Sequence, residues 1–348
     1  MTHLSALHWD GAALTILDQR KLPLTVSHLS CRSWKEAAEA IRTLAVRGAP
    51  AIGVAAAYAV VLAYRESLGT GDQQDRLFRQ YCQALRNARP TAVNLSWAVD
   101  SMLQVYTVSS QGFREAALLQ KARAIEQEDQ ETCRLIGEHG AALFQGKKNL
   151  QILTHCNTGA LATAGIGTAL GVISTLHGRG QIGCVYADET RPLLQGSRLT
   201  AFELMEGHIP CRLITDSMAA SVMKEKKIDA VITGADRIAS NGDTANKIGT
   251  YGLAVLAAYH HIPFYIAAPF STFDFSIGDG DAIVIEERDG EEVRALGGTY
   301  TAPRDVPVYN PAFDVTPHEL IRGIITEKGV LKAPYKETIA QYERSLHE

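Results

Sequence analysis

The chain has 348 residues, 46% hydrophobic and 21% charged, with a formal net charge of −4 at pH 7. That length exceeds the roughly 250–300 residues at which one hydrophobic core stops growing, so two domains are expected, and no low-complexity tract or run of like charge suggests a disordered tail. Net negative charge argues against a nucleic-acid-binding surface, while local basic spots for small phosphorylated ligands stay open.

The first residues, Met1-Thr2-His3-Leu4-Ser5, lack the basic start and apolar run of a secretory signal, so a cytoplasmic location is expected. A short hairpin is expected over roughly 6–16, around Asp10-Gly11. Ser33-Trp34-Lys35-Glu36 has capping-box spacing: Ser33 satisfies a free amide of the first turn and Glu36 reaches back, opening a helix to about Ala45. In Val46-Arg47-Gly48-Ala49-Pro50, Pro50 suits the first position of a new helix. Its apolar stretch, Ala49 to Tyr64, lies between Arg47 and Arg65 and is shorter than the ~20 residues of a membrane span, so it reads as a buried helix. Further helices are expected at 73–87, 92–106 and 113–144, the middle one introduced by Arg89-Pro90-Thr91.

From about Asn149 short β-rich apolar runs alternate with helical stretches, the signature of βαβ units. Strands are expected at Leu150–Thr154, Ile182–Ala187, Arg212–Thr215, Ala230–Thr233 and Phe264–Ala267, with helices near 162–176, 195–207, 218–224 and 247–260. A sixth strand near 282–286 and a terminal helix opening at Thr316-Pro317-His318-Glu319 complete the pattern. The fold class is therefore α/β: a mainly helical N-terminal domain with a short β hairpin (1–145), then a Rossmann-like doubly wound parallel-sheet domain (146–348). Gly146-Lys147-Lys148 is the connection.

Parallel sheets bind ligands beyond the carboxyl ends of their strands, where βα loops gather and helix amino termini point positive dipoles. Four polar clusters fall on that rim: His155-Cys156-Asn157-Thr158-Gly159, Asp188 to Arg191 with Gln195 to Arg198, Gly234 to Ile238 with Asn246-Lys247, and Ala268-Pro269 with Ser271. Their convergence is stronger than any one member. Cys156 reads equally as a core thiol and as a reacting group. His155 reads as a hydrogen-bonded supporting residue, Asp188 as a helix cap, and Arg191 and Arg237 as either surface ion pairs or ligand contacts. The six cysteines are scattered without C-x-x-C or zinc-site spacing, so reduced thiols and no metal are expected. Gly159, Gly165, Gly167 and Gly171 do not make the G-x-G-x-x-G dinucleotide fingerprint, and the last three are expected inside a helix. Anion binding then falls to Arg47-Gly48-Ala49 at a helix start, with Arg89, Gln195 and Lys247.

V-R-G-A-P-A-I-G (46–53), H-C-N-T-G (155–159), E-T-R-P-x-x-Q-G-S-R-L-T (189–200), G-A-D-R-I (234–238) and N-K-I-G-T-Y (246–251) together resemble the methylthioribose-1-phosphate isomerase family of methionine salvage. That resemblance implies a homodimer without metal or organic cofactor, converting 5-methylthio-α-D-ribose 1-phosphate into 5-methylthio-D-ribulose 1-phosphate. It implies Cys156 and Asp236 as the catalytic pair, with Asp236 a proton donor, and Arg47, Gly48, Ala49, Arg89, Gln195, Asn246 and Lys247 as substrate contacts.

The residue types suit that chemistry. A sugar phosphorylated on its anomeric oxygen opens only if an acid protonates the ring oxygen, a task for Asp236 in an apolar, partly closed pocket. Cys156 then moves hydrogen from C2 to C1 through an enediol, or stabilises a direct hydride shift. Two rival readings are an isomerase of ribose 1,5-bisphosphate and a non-enzymatic relative of the regulatory subunits of the translation initiation factor that exchanges guanine nucleotide. The second is expected to lack the Cys156/Asp236 pair.

Overall fold

The computed structural model describes residues 4–89 and 93–344, so Pro90, Thr91 and Ala92 of the expected helix start lie outside the described residues. Two compact units result, one of residues 1–133 with 159–167 and one of residues 134–158 with 168–348. No described helix is long and apolar enough to cross a membrane.

In the first unit β1 (Leu7–Trp9), β2 (Leu14–Leu17) and β3 (His28–Cys31) form an antiparallel sheet in that order. The hairpin was expected; β3 was not, because His28-Leu29-Ser30-Cys31 is a mixed, half-exposed stretch and not an apolar run. The capping box is present as expected: the Glu36 amide donates to Ser33 Oγ and the Ser33 amide to Glu36 Oε2. The helix it opens, α1 (Trp34–Arg42), stops short of Ala45. Leu44 takes φ 60, and the Ala45 amide returns to the Ala40 carbonyl at 2.9 Å, a Schellman closure.

Helix α2 (Ala49–Ser67) starts from Gly48 with Pro50 in its first turn and is buried almost throughout. It packs with α3 (Gln74–Arg86) and α4 (Val93–Val108), and Tyr64, Phe78 and Tyr106 form a mutual aromatic contact in this core. Each such ring contributes on the order of 1.5–3 kcal/mol by leaving water. Helix α5 (Arg114–Ala142) belongs to this unit up to Cys133.

Residues 162–168 are a loop, not the expected helix, and α6 (Ala169–Gly178) begins only beyond it. Gly167 takes φ 89, and tertiary bonds replace helical ones: Gln19 Nε2 donates to the Leu161 carbonyl at 2.7 Å and the Ala164 amide to Asp129 Oδ2 at 2.6 Å. Those bonds place 159–167 with the first unit. The end of α5 lies with the second instead of dividing at 145/146, because Ile136, Ala141 and Phe144 pack among strand residues Leu150 and Ile152.

The second unit continues with β4 (Leu150–Thr154), α6, β5 (Ile182–Asp188), α7 (Ala201–Glu206), β6 (Cys211–Ile214), α8 (Ala219–Glu225) and β7 (Ala230–Thr233). Next come β8 (Arg237–Ala239), β9 (Thr244–Lys247), α9 (Thr250–Tyr259), β10 (Phe264–Ala267), β11 (Phe273–Asp274) and α10 (Glu291–Arg294). The chain ends with β12 (Ala295–Leu296), β13 (Thr299–Tyr300), β14 (Phe313–Thr316), β15 (Gly323–Thr326), β16 (Gly329–Leu331) and α11 (Tyr335–Arg344). The main sheet runs β6-β5-β4-β7-β10-β15-β16, parallel except for β16. Numbered along the chain, its parallel part is 3-2-1-4-5-6, the doubly wound order that reverses between β4 and β7.

Neighbouring residues of these strands enter opposite layers. Leu153, Val231, Ile266 and Ile324 pack on one face, Ile152, Ile232, Ala267 and Ile325 on the other. Burial on both sides is why the strands read as continuous apolar runs. The five expected strands are present. The sixth position is taken by β15 and not by 282–286, where Ile283 turns into a small cluster with Ala239 and Ala245. Thr316 ends β14, and Pro317 is followed by a single 3-10 turn, so the terminal helix is α11 instead. The second sheet, β11-β8-β9-β14, was not foreseen because its strands are short and polar.

Burial pushes the Asp129 carboxyl up to about 6, against the Ala164 amide that favours its ionised form. A folded value above the unfolded one means the folded state holds the extra proton, so stability falls as pH rises through about 6. Asp129→Asn keeps an oxygen for the Ala164 amide and removes that cost. Urea unfolding should show little change near pH 4 and a gain on the order of 2–3 kcal/mol above pH 7; no gain at the higher pH would refute this account.

Candidate active site

The strand order reverses between β4 and β7, and in doubly wound sheets the carboxyl ends at such a reversal are where ligands bind. Parallel pairing of Ile152 with Ala230 and Leu153 with Val231 sets the two ends side by side, and Thr154 Oγ1 donates to the Ile232 carbonyl at 2.8 Å. Cys156 follows β4 and Asp236 follows β7. Gly234 lets the two loops touch: a Cβ there would lie 2.3 Å from Thr158 Cγ2.

Cys156 is buried and held at φ 60, a conformation that costs a non-glycine residue energy and persists only where neighbours enforce it. Its amide donates to Thr190 Oγ1 at 2.9 Å and its carbonyl accepts from Thr200 Oγ1. Thr190 is itself at φ 65, an outlier for a β-branched residue. The Asp216 carboxylate stabilises that turn by accepting the Thr190 and Arg191 amides at 2.8 and 2.7 Å. Gln195 precedes a π-helical turn, Gly196–Thr200, a widening often found at functional sites. Its Oε1, like Thr158 Oγ1, is buried without a hydrogen-bond partner among the described residues, which marks polar capacity aimed at something other than protein.

Asp236 is exposed in this chain, not enclosed in an apolar pocket, and its amide donates to the Ala245 carbonyl. Arg237 forms a surface ion pair with Asp274 at 3.2 Å. Lys247 was expected to open a helix; instead Asn246 and Lys247 end β9, with Lys247 paired to Phe313 of β14. Asn246 is buried and donates to Thr250 Oγ1 at 3.0 Å. The Lys247 ammonium donates to the Ala312 carbonyl and sits 4.3 Å above the Phe313 ring, so its charge is positioned but not neutralised by a carboxylate in these contacts.

Beside Cys156, His155 is 1% exposed and bonds on both sides: Nδ1 to Asp188 Oδ2 at 2.9 Å and Nε2 to the Ile248 carbonyl at 2.9 Å. Asp188 is thus the partner of His155 and not the helix cap expected. Burial pulls the imidazole down, but the hydrogen bond and charge of Asp188 outweigh it and hold the ring above its ordinary value. Burial pushes the Asp188 carboxyl up, and the hydrogen bond and charge of His155 oppose that rise. His155, Asp188 and Asp216 bring ligand-type atoms within 4.8 Å of one another. The histidine nitrogens and both Asp216 oxygens are already committed to the bonds above, which makes the group a poor cation site. Among the described residues all six cysteines are free.

The second unit thus gathers Cys156, Gln195, Asp236, Asn246 and Lys247 around its sheet ends. Arg47, Gly48, Ala49 and Arg89 belong to the first unit, where Gly48 and Ala49 start α2 and Arg89 follows α3. Sequence reasoning missed the supporting roles of Thr190, Asp216 and Thr158. Thr158, inside H-C-N-T-G, and Thr190, inside E-T-R-P, carried local signals; Asp216 lies on a different strand end and is recruited by folding.

Known proteins were compared with this chain. The model of the initiation factor 2 subunit family matches residues 45–333. A methylthioribose-1-phosphate isomerase of Desulforamulus reducens is 49% identical over 346 residues, covering 97% of this chain and 98% of its own. The crystal structure of 5-methylthioribose 1-phosphate isomerase from Pyrococcus horikoshii OT3 superposes with a TM-score of 0.94 at 41% identity, covering 99% of this chain and 97% of that one. A structure described as translation initiation factor eIF-2B, subunit delta, from A. fulgidus gives 0.90 at 43% identity, covering 97% and 100%.

Thr190→Val keeps the side-chain shape and removes the oxygen that receives the Cys156 amide. A buried amide left unpaired costs about 1–3 kcal/mol, so the urea midpoint should fall by that equivalent with an unchanged slope. A wild-type midpoint would show that this bond does not hold the Cys156 loop.

Proposed function

The chain belongs to the initiation factor 2 subunit family, among its methylthioribose-1-phosphate isomerases, and from that premise we propose that it opens 5-methylthio-α-D-ribose 1-phosphate and closes the reaction as 5-methylthio-D-ribulose 1-phosphate. The isomerase role in methionine salvage follows from the family; the substrate form, the steps and the residues are this reading's own. The observation that carries it is the placement of Cys156 and Asp236 on adjacent strand ends at the one reversal of the main sheet.

Asp236 donates a proton to the ring oxygen as the bond from C1 to that oxygen breaks. The Cys156 thiolate then takes the C2 proton, and the electron pair forms an enediol phosphate between C1 and C2. Cys156 returns the proton to C1, while the C2 hydroxyl gives its proton to the Asp236 carboxylate and becomes the ketone. Both groups finish as they began, and no external acid or oxidant is consumed. Gln195, Asn246 and Lys247 bind the sugar phosphate, Lys247 supplying a cation whose direction the Phe313 ring and Ala312 carbonyl fix. The family resemblance extends the binding set to Arg47, Gly48, Ala49 and Arg89, with Gly48 and Ala49 at the start of α2, where Pro50 carries no amide hydrogen and the Ala51 amide donates to the Ala162 carbonyl. The working form is a homodimer that needs no metal or organic cofactor.

The likeness to the A. fulgidus protein keeps a second reading in view, that of an initiation-factor subunit without turnover. A coupled assay with methylthioribose 1-phosphate and ribose 1,5-bisphosphate separates the readings. The first substrate should react, and Cys156→Ser and Asp236→Asn should each lower kcat by about 10²–10⁴-fold. Turnover of neither substrate would sink the isomerase reading; wild-type kcat/KM in a Cys156→Ala variant would sink the residue assignment. In deuterated water, label at C1 of the product is expected from proton transfer, and its absence would favour a hydride shift.

A further inference from the structure

Three segments meet at His155. It lies on the loop after β4, next to Cys156; its Nδ1 meets Asp188 at the end of β5; and its Nε2 meets the Ile248 carbonyl, directly after the Asn246-Lys247 end of β9. The ring fits this gap closely. Gly249 stands at φ 105, and a Cβ on it would lie 2.9 Å from His155 Cε1, so the β9–α9 turn is laid flat on the imidazole edge. Asp314 anchors the other side of that turn, accepting the Gly249 and Tyr251 amides at 2.7 and 3.0 Å. A backbone carbonyl can only accept, so Nε2 must carry a hydrogen. The second ring nitrogen faces a carboxylate oxygen, so a fully protonated ring is the state that satisfies both ends with donors. No other cationic group bonds to Asp188 or Ile248 in the contacts described.

We propose that His155 acts as a doubly protonated positioning residue, a cationic peg clamped between Asp188 and Ile248 that fixes the spacing between the Cys156 loop and the Asn246-Lys247 loop. This rests on the reading of those loops as thiol and phosphate-binding groups of one site. The consequence is mechanical. If Lys247 holds the phosphate and Cys156 reaches for C2, the distance between them decides whether the thiolate meets its proton, and His155, itself on the Cys156 loop, bonds directly to the Ile248 carbonyl that follows the Lys247 strand end. A loosened peg leaves the binding groups in place but misaligns the reacting atoms, and misplacement by about 1 Å costs on the order of a hundredfold in rate. The loss therefore belongs in kcat and not in KM.

The test uses the full-length chain. His155→Gln keeps a single donor nitrogen that cannot reach both acceptors and removes the positive charge, and Asp188→Asn keeps the size of its partner while removing the charge. In both variants kcat for methylthioribose 1-phosphate should fall by about 10²-fold for His155→Gln and less for Asp188→Asn, with KM changed less than about threefold. In protein labelled with 15N at histidine, the His155 ring should show hydrogens on both nitrogens at neutral pH, and Asp188→Asn should shift that signature. Wild-type kcat in both variants overturns the proposal, as does a KM rise that accounts for the whole loss, or a neutral His155 ring in the spectrum. If His155→Gln fails to fold, Asp188→Asn and the spectrum decide. If the wild-type chain turns over no methylthioribose 1-phosphate, the reading of the reaction fails, while the ring spectrum still judges the peg.

Discussion

The parallel register of β4 against β7 is the constraint on which the site depends. Pairing Ile152 with Ala230 and Leu153 with Val231 fixes which residues emerge at the two strand ends, and a slip of one residue would turn every side chain to the opposite layer. That register is held by burial: Leu153 and Val231 enter one core layer, Ile152 and Ile232 the other. Hydrophobic packing, which is indifferent to chemistry, thereby sets the relative position of a thiol and a carboxyl. Thr154 donating to the Ile232 carbonyl and the bare surface of Gly234 extend the same alignment past the strands into the loops.

Around this alignment, carboxylates do the structural work commonly assigned to backbone. Asp216 accepts the two amides of the Thr190 turn, and Asp314 accepts two amides at the start of α9. Charge-assisted bonds to backbone amides are stronger than neutral ones and suit turns that must hold residues at positive φ. Lys247 is oriented by an aromatic face and a carbonyl, neither of which cancels its charge. The result is a rim that is rigid in its backbone yet retains unfilled polar capacity at Gln195 and Thr158. Rigidity and unmet hydrogen-bonding capacity together are what a binding site for a small polar substrate requires.

Much of this was legible in the sequence because local rules and the global fold agree there. The capping box at Ser33 and Glu36, Pro50 in the first turn of α2, and the five apolar strand runs all formed where the pattern put them. The failures share a cause. The 162–168 segment looks helical but is pulled into a loop by Gln19 and Asp129, which lie far from it in the chain. β8, β9 and β14 are too short and too polar to show a period, and they exist because they pair with one another. His155 was legible as a supporting residue, but its partner was not, since Asp188 alone looks like any acid after a strand.

The sequence by itself determined the α/β class and the strand runs, and it singled out Cys156, Asp236 and Lys247 in segments that follow expected strands, because periodicity and motif spacing are properties of neighbours along the chain. Only the tertiary structure decided that β4 and β7 are adjacent, that Asp236 is exposed, that Lys247 ends a strand, and that His155 bridges Asp188 to Ile248. Those facts depend on contacts between residues tens of positions apart. Such contacts are chosen by which apolar faces can be buried together and which buried polar groups can find partners, a choice made by the whole chain at once.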